Sequence, residues 1–296
     1  MIYLEKFVLP IEQEDFLIES NLEDFLPGDS WYPCGIFSKV LLKEINFAPV
    51  TILYGDNGSG KSTLLNLIAE KLQLNRISPF NKGTLFDKYK GRCRYSMAYD
   101  EEGFKCRVPN GSRIITSDDI FDYMLTVRSN NEEISEKKEE APYYRKELRD
   151  RPFQLRSLDD YEEFRMQVLA KKKRSSVRKF IQAYAGEETK LYSNGETTLN
   201  YFDIRIKNDT LYCLDEPENS LSPTSQIQLK SNLEQWARYC GCQFVIATHS
   251  PFLLSIEGAR IYDLDACPTD IKKWWELDNT KVYYQFFKEH KKLFER

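Results

Sequence analysis

One stretch narrows the choice of fold more than any other. Gly55-Asp56-Asn57-Gly58-Ser59-Gly60-Lys61-Ser62 fits the spacing G-x-x-x-x-G-K-[ST]. Before it runs VTILY (50 to 54), short, apolar and rich in β-branched residues, which reads as a buried strand. After it runs STLLNLIAEKL, with helical spacing. Strand, glycine-rich turn and helix in that order aim backbone amides and a helix N-terminus at one point, where phosphate oxygens find many donors. The expected ATP contacts are Gly55, Asn57, Gly58, Ser59, Gly60, Lys61, Ser62 and Thr63. Lys61 is expected to reach the β- and γ-phosphates, and the Ser62 hydroxyl to face Mg²⁺.

Two further segments end apolar runs in chemistry. TLYCLD (210 to 215) reads as a strand that closes on Asp215, followed by Glu216 and Pro217. A carboxylate at a strand tip needs a cation or donors. Asp215 is expected to hold Mg²⁺ and Glu216 to orient and deprotonate the attacking water. QFVIATHS (243 to 250) brings His249, one of two histidines, to the tip of another apolar strand. There it is expected to hydrogen-bond the γ-phosphate or the water. His290, in a lysine-rich tail, reads as structural.

The order of phosphate loop, Ser-Asn-Gly-Glu (193 to 196), LDEPENSLSP and ATHSP resembles the ABC-type ATPases, and within them the DNA-repair and chromosome-maintenance branch. It is similar to small stand-alone bacterial ATPases of that style. The likeness includes Trp31-Tyr-Pro-Cys-Gly35 and the ending Gly258 to Asp265. It implies an α/β fold of the P-loop NTPase type: an ABC-type nucleotide-binding domain with a central, mainly parallel sheet, an antiparallel β part and an inserted helical arm. It implies ATP and Mg²⁺ as ligands, with Lys61, Glu216 and His249 as the catalytic set. It also implies that Ser193, Asn194, Gly195 and Glu196 form a signature loop that binds the γ-phosphate held by a partner copy, with Ser220 at the dimer interface. Asn194 and Glu196 depart from the usual glycine and glutamine. A surface turn remains the other reading of these four residues. The segment Arg113 to Asp119 stands where a glutamine-bearing loop is usual, with an acid in its place. Tyr32 reads either as an adenine-stacking ring or as a core aromatic.

Composition sets the remaining limits. The 296 residues carry a formal net charge of −4, with 41% hydrophobic and 30% charged residues, so any nucleic-acid contact needs a local basic patch. The sharpest patch is Lys171, Lys172, Lys173 and Arg174, with Arg178 and Lys179. It reads either as a phosphate-backbone contact or as a solvated helix face beside Asp159, Asp160, Glu162 and Glu163. Seven scattered cysteines fit reduced thiols and no zinc spacing. No apolar run suits a membrane span and the N-terminus lacks a signal pattern, so the expectation is a cytoplasmic protein.

Along the chain, residues 1 to 8 and 41 to 47 read as strands. GRCRYSMAYD, GFKCRV and RIITS read as short strands between 84 and 125. Residues 126 to 190, dense in both charges, read as a helical arm inserted into one domain spanning 1 to 296, with Pro142 and Pro152 interrupting any single helix. ARIYDLD reads as a further strand, and the last 26 residues as one or two packed helices. The function expected is slow ATP hydrolysis by an ATP-sandwiched homodimer whose conformational cycle acts on nucleic acid or a partner effector, in repair or anti-phage defence. The alternatives are an ATP-dependent scaffold with negligible turnover and the ATPase subunit of a transporter.

Overall fold

A computed structural model describes residues 1–10, 31–152, 160–172, 177–186 and 194–295. Its strands are β1 (Leu4–Val8), β2 (Glu44–Asn46), β3 (Val50–Tyr54), β4 (Arg94–Met97), β5 (Arg113–Thr116), β6 (Leu211–Asp215), β7 (Gln243–Ala247), β8 (Arg260–Asp263) and β9 (Asp270–Lys272). The longer helices are α1 (Lys61–Lys71), α2 (Phe86–Arg92), α3 (Ser117–Asp150), α4 (Tyr161–Lys171), α5 (Val177–Ala185), α6 (Asn194–Arg205), α7 (Pro223–Tyr239) and α8 (Asp278–Glu289).

Two compact units result. The first comprises Met1–Ile120 and Thr198–Arg296, the second Phe121–Thr197. In the first, β1, β2 and β4 form a three-stranded antiparallel sheet. A six-stranded sheet has the order β5-β6-β7-β3-β8-β9, parallel except for β9. Every residue of β3 and β7 is buried, as strands covered on both faces require. Gln243, fully buried at the start of β7, ties the two sheets together. Its Oε1 accepts the N–H groups of Tyr3 and Leu4, and its Nε2 donates to the carbonyls of Leu4 and Ala48.

Register sets the site. Leu53 of β3 pairs with Ala247 of β7, and Ala247 with Asp215 of β6. Thr116 of β5 pairs with Asp215 on its other side. The four parallel strands therefore end level, and the loops that leave them share one edge of the sheet, where open α/β sheets bind ligands.

The second unit has its own small core. Ala141, Leu148, Ala170 and Phe180 are buried together, with Tyr144, Met166, Leu169, Ile181 and Tyr184 packed around them. Gln167 Nε2 donates to the carbonyls of Leu148 and Arg151, closing the C-terminal end of α3.

Several sequence expectations are corrected. Pro142 does not interrupt a helix: it lies inside α3, a continuous run of 34 residues. One lost backbone bond costs less than the packing of Ala141 and Leu148 on either side returns. Pro152 falls just beyond the end of α3, where a proline is tolerated. Gly91 and Arg92 belong to α2 and not to a strand, and GFKCRV contributes only the bridge Tyr99–Lys105. The short edge strand β9 was not foreseen. The terminal apolar side chains lie at the surface: Val282, Tyr284, Phe286, Phe287, Leu293 and Phe294 are each more than half exposed, with Phe287 set edge-on to Phe286 and Phe294, whereas Leu277 and Thr280 are buried.

Replacing Pro142 by alanine should restore a backbone donor within α3. We expect a local stabilisation of about 1–3 kcal/mol, read as slower amide exchange at residues 138 to 146. Unchanged exchange would mean that the helix already absorbs the proline at no cost.

Candidate active site

The loop between β3 and α1 has the curvature its glycines allow. Gly58 and Gly60 adopt φ of 86° and 95°, in the left-handed region. A Cβ on Gly60 would lie 2.7 Å from Ile36 Cγ2, and one on Gly55 would lie 2.5 Å from Ser59 Oγ. Neither position can accept a side chain without movement of its neighbours. Lys61 is buried, and its Nζ donates to the carbonyls of Gly55 (2.7 Å) and Asp56 (3.0 Å). The ammonium thus holds the loop curled over its own amides. Burial pulls the Lys61 pKa below its ordinary value, against the pull of Glu216, Asp265 and Asp215. The buried Ser59 Oγ has no hydrogen-bond partner among the described residues, an orphan donor that a phosphate oxygen would satisfy.

Asp215, Glu216 and His249 meet this loop from the neighbouring strand tips. Ser62 Oγ donates to Asp215 Oδ1 at 3.0 Å. Burial drives the Asp215 carboxyl up to about 6, with the Ser62 hydrogen bond and Lys61 opposing the shift. Glu216 adopts φ 48°, an uncommon conformation for a side-chain-bearing residue and one that functional turns often retain. Its amide is tied to Ala247 O (2.9 Å), and Asn219 Nδ2 donates to its Oε2 (3.0 Å). The carboxylate is thereby aimed, with Oε1 standing 3.7 Å from His249 Nε2. A cleft of about 380 Å³ joins Asn57, Gly58, Gly60, Lys61, Ser62, Thr63 and Glu216 with Tyr32 and Ile36. A larger groove of about 1000 Å³, lined by Glu5, Asp100, Glu101, Glu102 and Arg260 among others, shares no residue with the phosphate loop.

Among the described residues no cluster of three or more His, Cys, Asp or Glu side chains is set to hold a metal ion. A cation at the loop would rest on Ser62 and Asp215, hard oxygen ligands that suit Mg²⁺ together with substrate phosphates.

Other expectations fall as follows. Tyr32 lines the cleft and packs against the core, stacked on Phe86 at 6.2 Å between centroids. Asp119, in the segment Arg113 to Asp119, is buried and fully engaged. It accepts from Ser78 N and Oγ and from Thr116 N and Oγ1. Ser220 is exposed with φ 68°, in the turn after Glu216. Gly195 and Glu196 occupy the first turn of α6. Ser193 lies outside the described residues, as do Lys173 and Arg174. Lys171, Lys172, Arg178 and Lys179 are exposed, and Lys171 Nζ donates to Arg151 O.

Three site residues escaped the sequence. Asp265 accepts the Asp56 N–H with both oxygens, at 2.9 and 2.7 Å, bracing the phosphate loop from behind. Glu218 and Asn279 grip the chain on either side of His249. Glu218 had one visible signal, a third acid in the run Asp215 to Glu218. Asp265 closes the stretch Gly258 to Asp265 that the resemblance covers, but no role was legible for it, and Asn279 had no signal, because helix α8 had to be folded first.

A family model described as ABC transporter matches residues 42–219, more than half of the chain. The chain belongs to this family. It is therefore an ABC-type ATPase, which binds and hydrolyses ATP. A second model, for an AAA domain of AbiEii-like toxins of type IV toxin–antitoxin systems, matches residues 189–255. No curated protein shows significant sequence similarity. Similar solved structures include the ATP-binding cassette MJ0796 as a post-hydrolysis dimer bound to ADP and Pi, at 15% identity. That likeness covers 79% of this chain and 90% of the other, with a TM-score of 0.37. They also include the SMC head domain from Thermotoga maritima, at 14% identity over 91% of this chain and 98% of the other, with a TM-score of 0.35. These scores are low, and the family assignment rests on the matched sequence span. Among the described residues no helix of this ABC-type ATPase is long and apolar enough to cross a membrane.

The raised Asp215 carboxyl yields a signed prediction. A carboxyl with a raised folded pKa stabilises the fold below its ordinary range and loses that contribution as pH rises through about 6. Without nucleotide, stability should therefore fall between about pH 4 and pH 6 by about 1–3 kcal/mol from this group. Asp215→Asn should flatten that fall in urea titrations while abolishing hydrolysis. A fall of the same size in the variant would assign it to other carboxyls.

Proposed function

We propose that this ABC-type ATPase works as a homodimer that encloses ATP between two copies and couples slow hydrolysis to opening. The observation that supports the reading is that Lys61, Ser62 and Glu216 line one cleft at the phosphate loop, with Asp215 bonded to Ser62 and His249 3.7 Å from Glu216. The loop amides and Lys61 bind and orient the β- and γ-phosphates. Ser62 and Asp215 hold Mg²⁺, which when bound neutralises charge on the phosphate oxygens. Glu216, aimed by Asn219, takes a proton from the attacking water. His249, beside Glu216, hydrogen-bonds that water or the γ-phosphate and so registers whether ATP is intact.

The dimer reading assigns further residues to a partner copy's site. Ser193, Asn194, Gly195 and Glu196 are assigned to the partner's γ-phosphate. The supporting observation is that Gly195 and Glu196 open α6, whose first turn presents amides to an anion. Ser220, exposed after the strained Glu216, is assigned to the interface. Closure draws its free energy from nucleotide contacts that exist only in the closed state. The output is a conformational cycle acting on a partner effector or nucleic acid, in repair or defence.

Solution mass of Glu216→Gln by light scattering tests the dimer. Mass should double with Mg-ATP, and Ser193→Arg should abolish the doubling. Mass that ignores ATP would replace this reading with a nucleotide-dependent scaffold. In steady-state assays Lys61→Ala and Glu216→Gln should each lower turnover by about 100-fold or more. Turnover that survives both would assign it to a contaminant.

A further inference from the structure

His249 is gripped by its backbone, and its ring stands beside Glu216. Its Nε2 is buried and has no hydrogen-bond partner among the described residues, standing 3.7 Å from Glu216 Oε1. Its peptide groups are both engaged by side chains. On one side Glu218 Oε1 accepts three donors in a row: Thr248 Oγ1 at 2.5 Å, His249 N at 2.8 Å and Ser250 N at 3.1 Å. On the other side Asn279 Nδ2 donates to His249 O at 3.3 Å. The Asn279 N–H in turn donates to Tyr54 Oη at 3.1 Å, on the residue that enters the phosphate loop.

Glu218 is an expensive way to shape a turn. It is buried, and burial pushes its carboxyl above the usual range. Its Oε2 has no partner among the described residues. A buried carboxylate with one oxygen unsatisfied is a cost that neutral side chains avoid. What Glu218 adds is a single acceptor that locks three consecutive residues of the β7 tip to the turn carrying Glu216. Pro217 separates the two glutamates, so the turn that places the base also places the histidine's backbone. Asn279 adds a second hold from the C-terminal helix and links it to β3.

We propose that Glu218 and Asn279 are positioning residues for ATP hydrolysis, bracing the His249 backbone from both sides so that its ring stays beside Glu216. Neither side chain reaches the reacting atoms. Both act by removing the freedom of the Thr248 to Ser250 segment, so that no reorganisation is needed when the γ-phosphate is attacked. The inference rests on the assignment of His249 to the hydrolytic step.

The test compares Glu218→Ala, Glu218→Gln and Asn279→Ala, each alone and combined with His249→Ala, in the full chain. Steady-state kcat and KM for Mg-ATP are measured beside ATP affinity. Glu218→Ala should lower kcat by about 10- to 100-fold and Asn279→Ala by about 3- to 10-fold, with KM within about threefold. Glu218→Gln keeps the Oε1 acceptor and should stay within about threefold of the unmodified protein. On the His249→Ala background neither substitution should lower kcat further. Further loss on that background, or equal loss from Glu218→Ala and Glu218→Gln, would overturn the brace. A silent Glu218→Ala beside a damaging His249→Ala would overturn the brace alone. A silent His249→Ala would overturn the catalytic assignment of the histidine, and the brace with it. If Glu218→Ala does not fold, Glu218→Gln and Asn279→Ala decide the matter by the same criteria.

Discussion

The register of three parallel strands is the constraint on which the rest of this molecule depends. Leu53, Ala247 and Asp215 lie side by side, so β3, β7 and β6 end at one level. The phosphate loop, the Glu216 turn and the His249 segment leave the sheet together. Side chains alternate along a strand, so a slip of one residue would turn Asp215 to the other face and break its bond to Ser62. Every residue of β3 and β7 is buried, and that burial makes the slip costly.

Charge is the second constraint. Glu216, Asp265, Asp215 and Asp56 act on one buried lysine, and Glu218 adds its charge at Asp215. Burial raises the carboxyls of Asp215, Glu218 and Asp265, and it lowers Lys61. Each of the three has a stated use for backbone or hydroxyl donors: Asp215 on Ser62, Glu218 on residues 248 to 250, Asp265 on Asp56. The acids hold loops in place, and the remaining negative field suits a site that takes its substrate with a divalent cation. The site thus trades stability for readiness, a familiar bargain where polar groups are set in advance for a transition state.

The two units are built on different principles. The sheet unit rests on long-range pairing between strands far apart in sequence. The second unit, Phe121–Thr197, rests on a small cluster in which Ala141, Leu148, Ala170 and Phe180 meet. Its long helix tolerates Pro142 because tertiary contacts on both sides outweigh one missing backbone bond. The terminal helix α8 does the reverse. It buries Leu277 and Thr280 near its start and leaves its aromatics to solvent.

The sequence by itself determined which residues stand at the strand tips. A glycine-rich loop between an apolar strand and a helix, apolar strands ending in Asp215-Glu216 and in His249, and the family they resemble were all legible. The reason is that each signal lies within a few consecutive residues, where spacing alone fixes geometry. The tertiary structure decided what those residues lean on. Asp265 braces the phosphate loop from two hundred residues away, Asn279 reaches His249 from the C-terminal helix, and Gln243 stitches two sheets through Tyr3 and Leu4. No local pattern announces such contacts, because a single side chain becomes a strut only when the packing of distant elements puts a partner within hydrogen-bond reach.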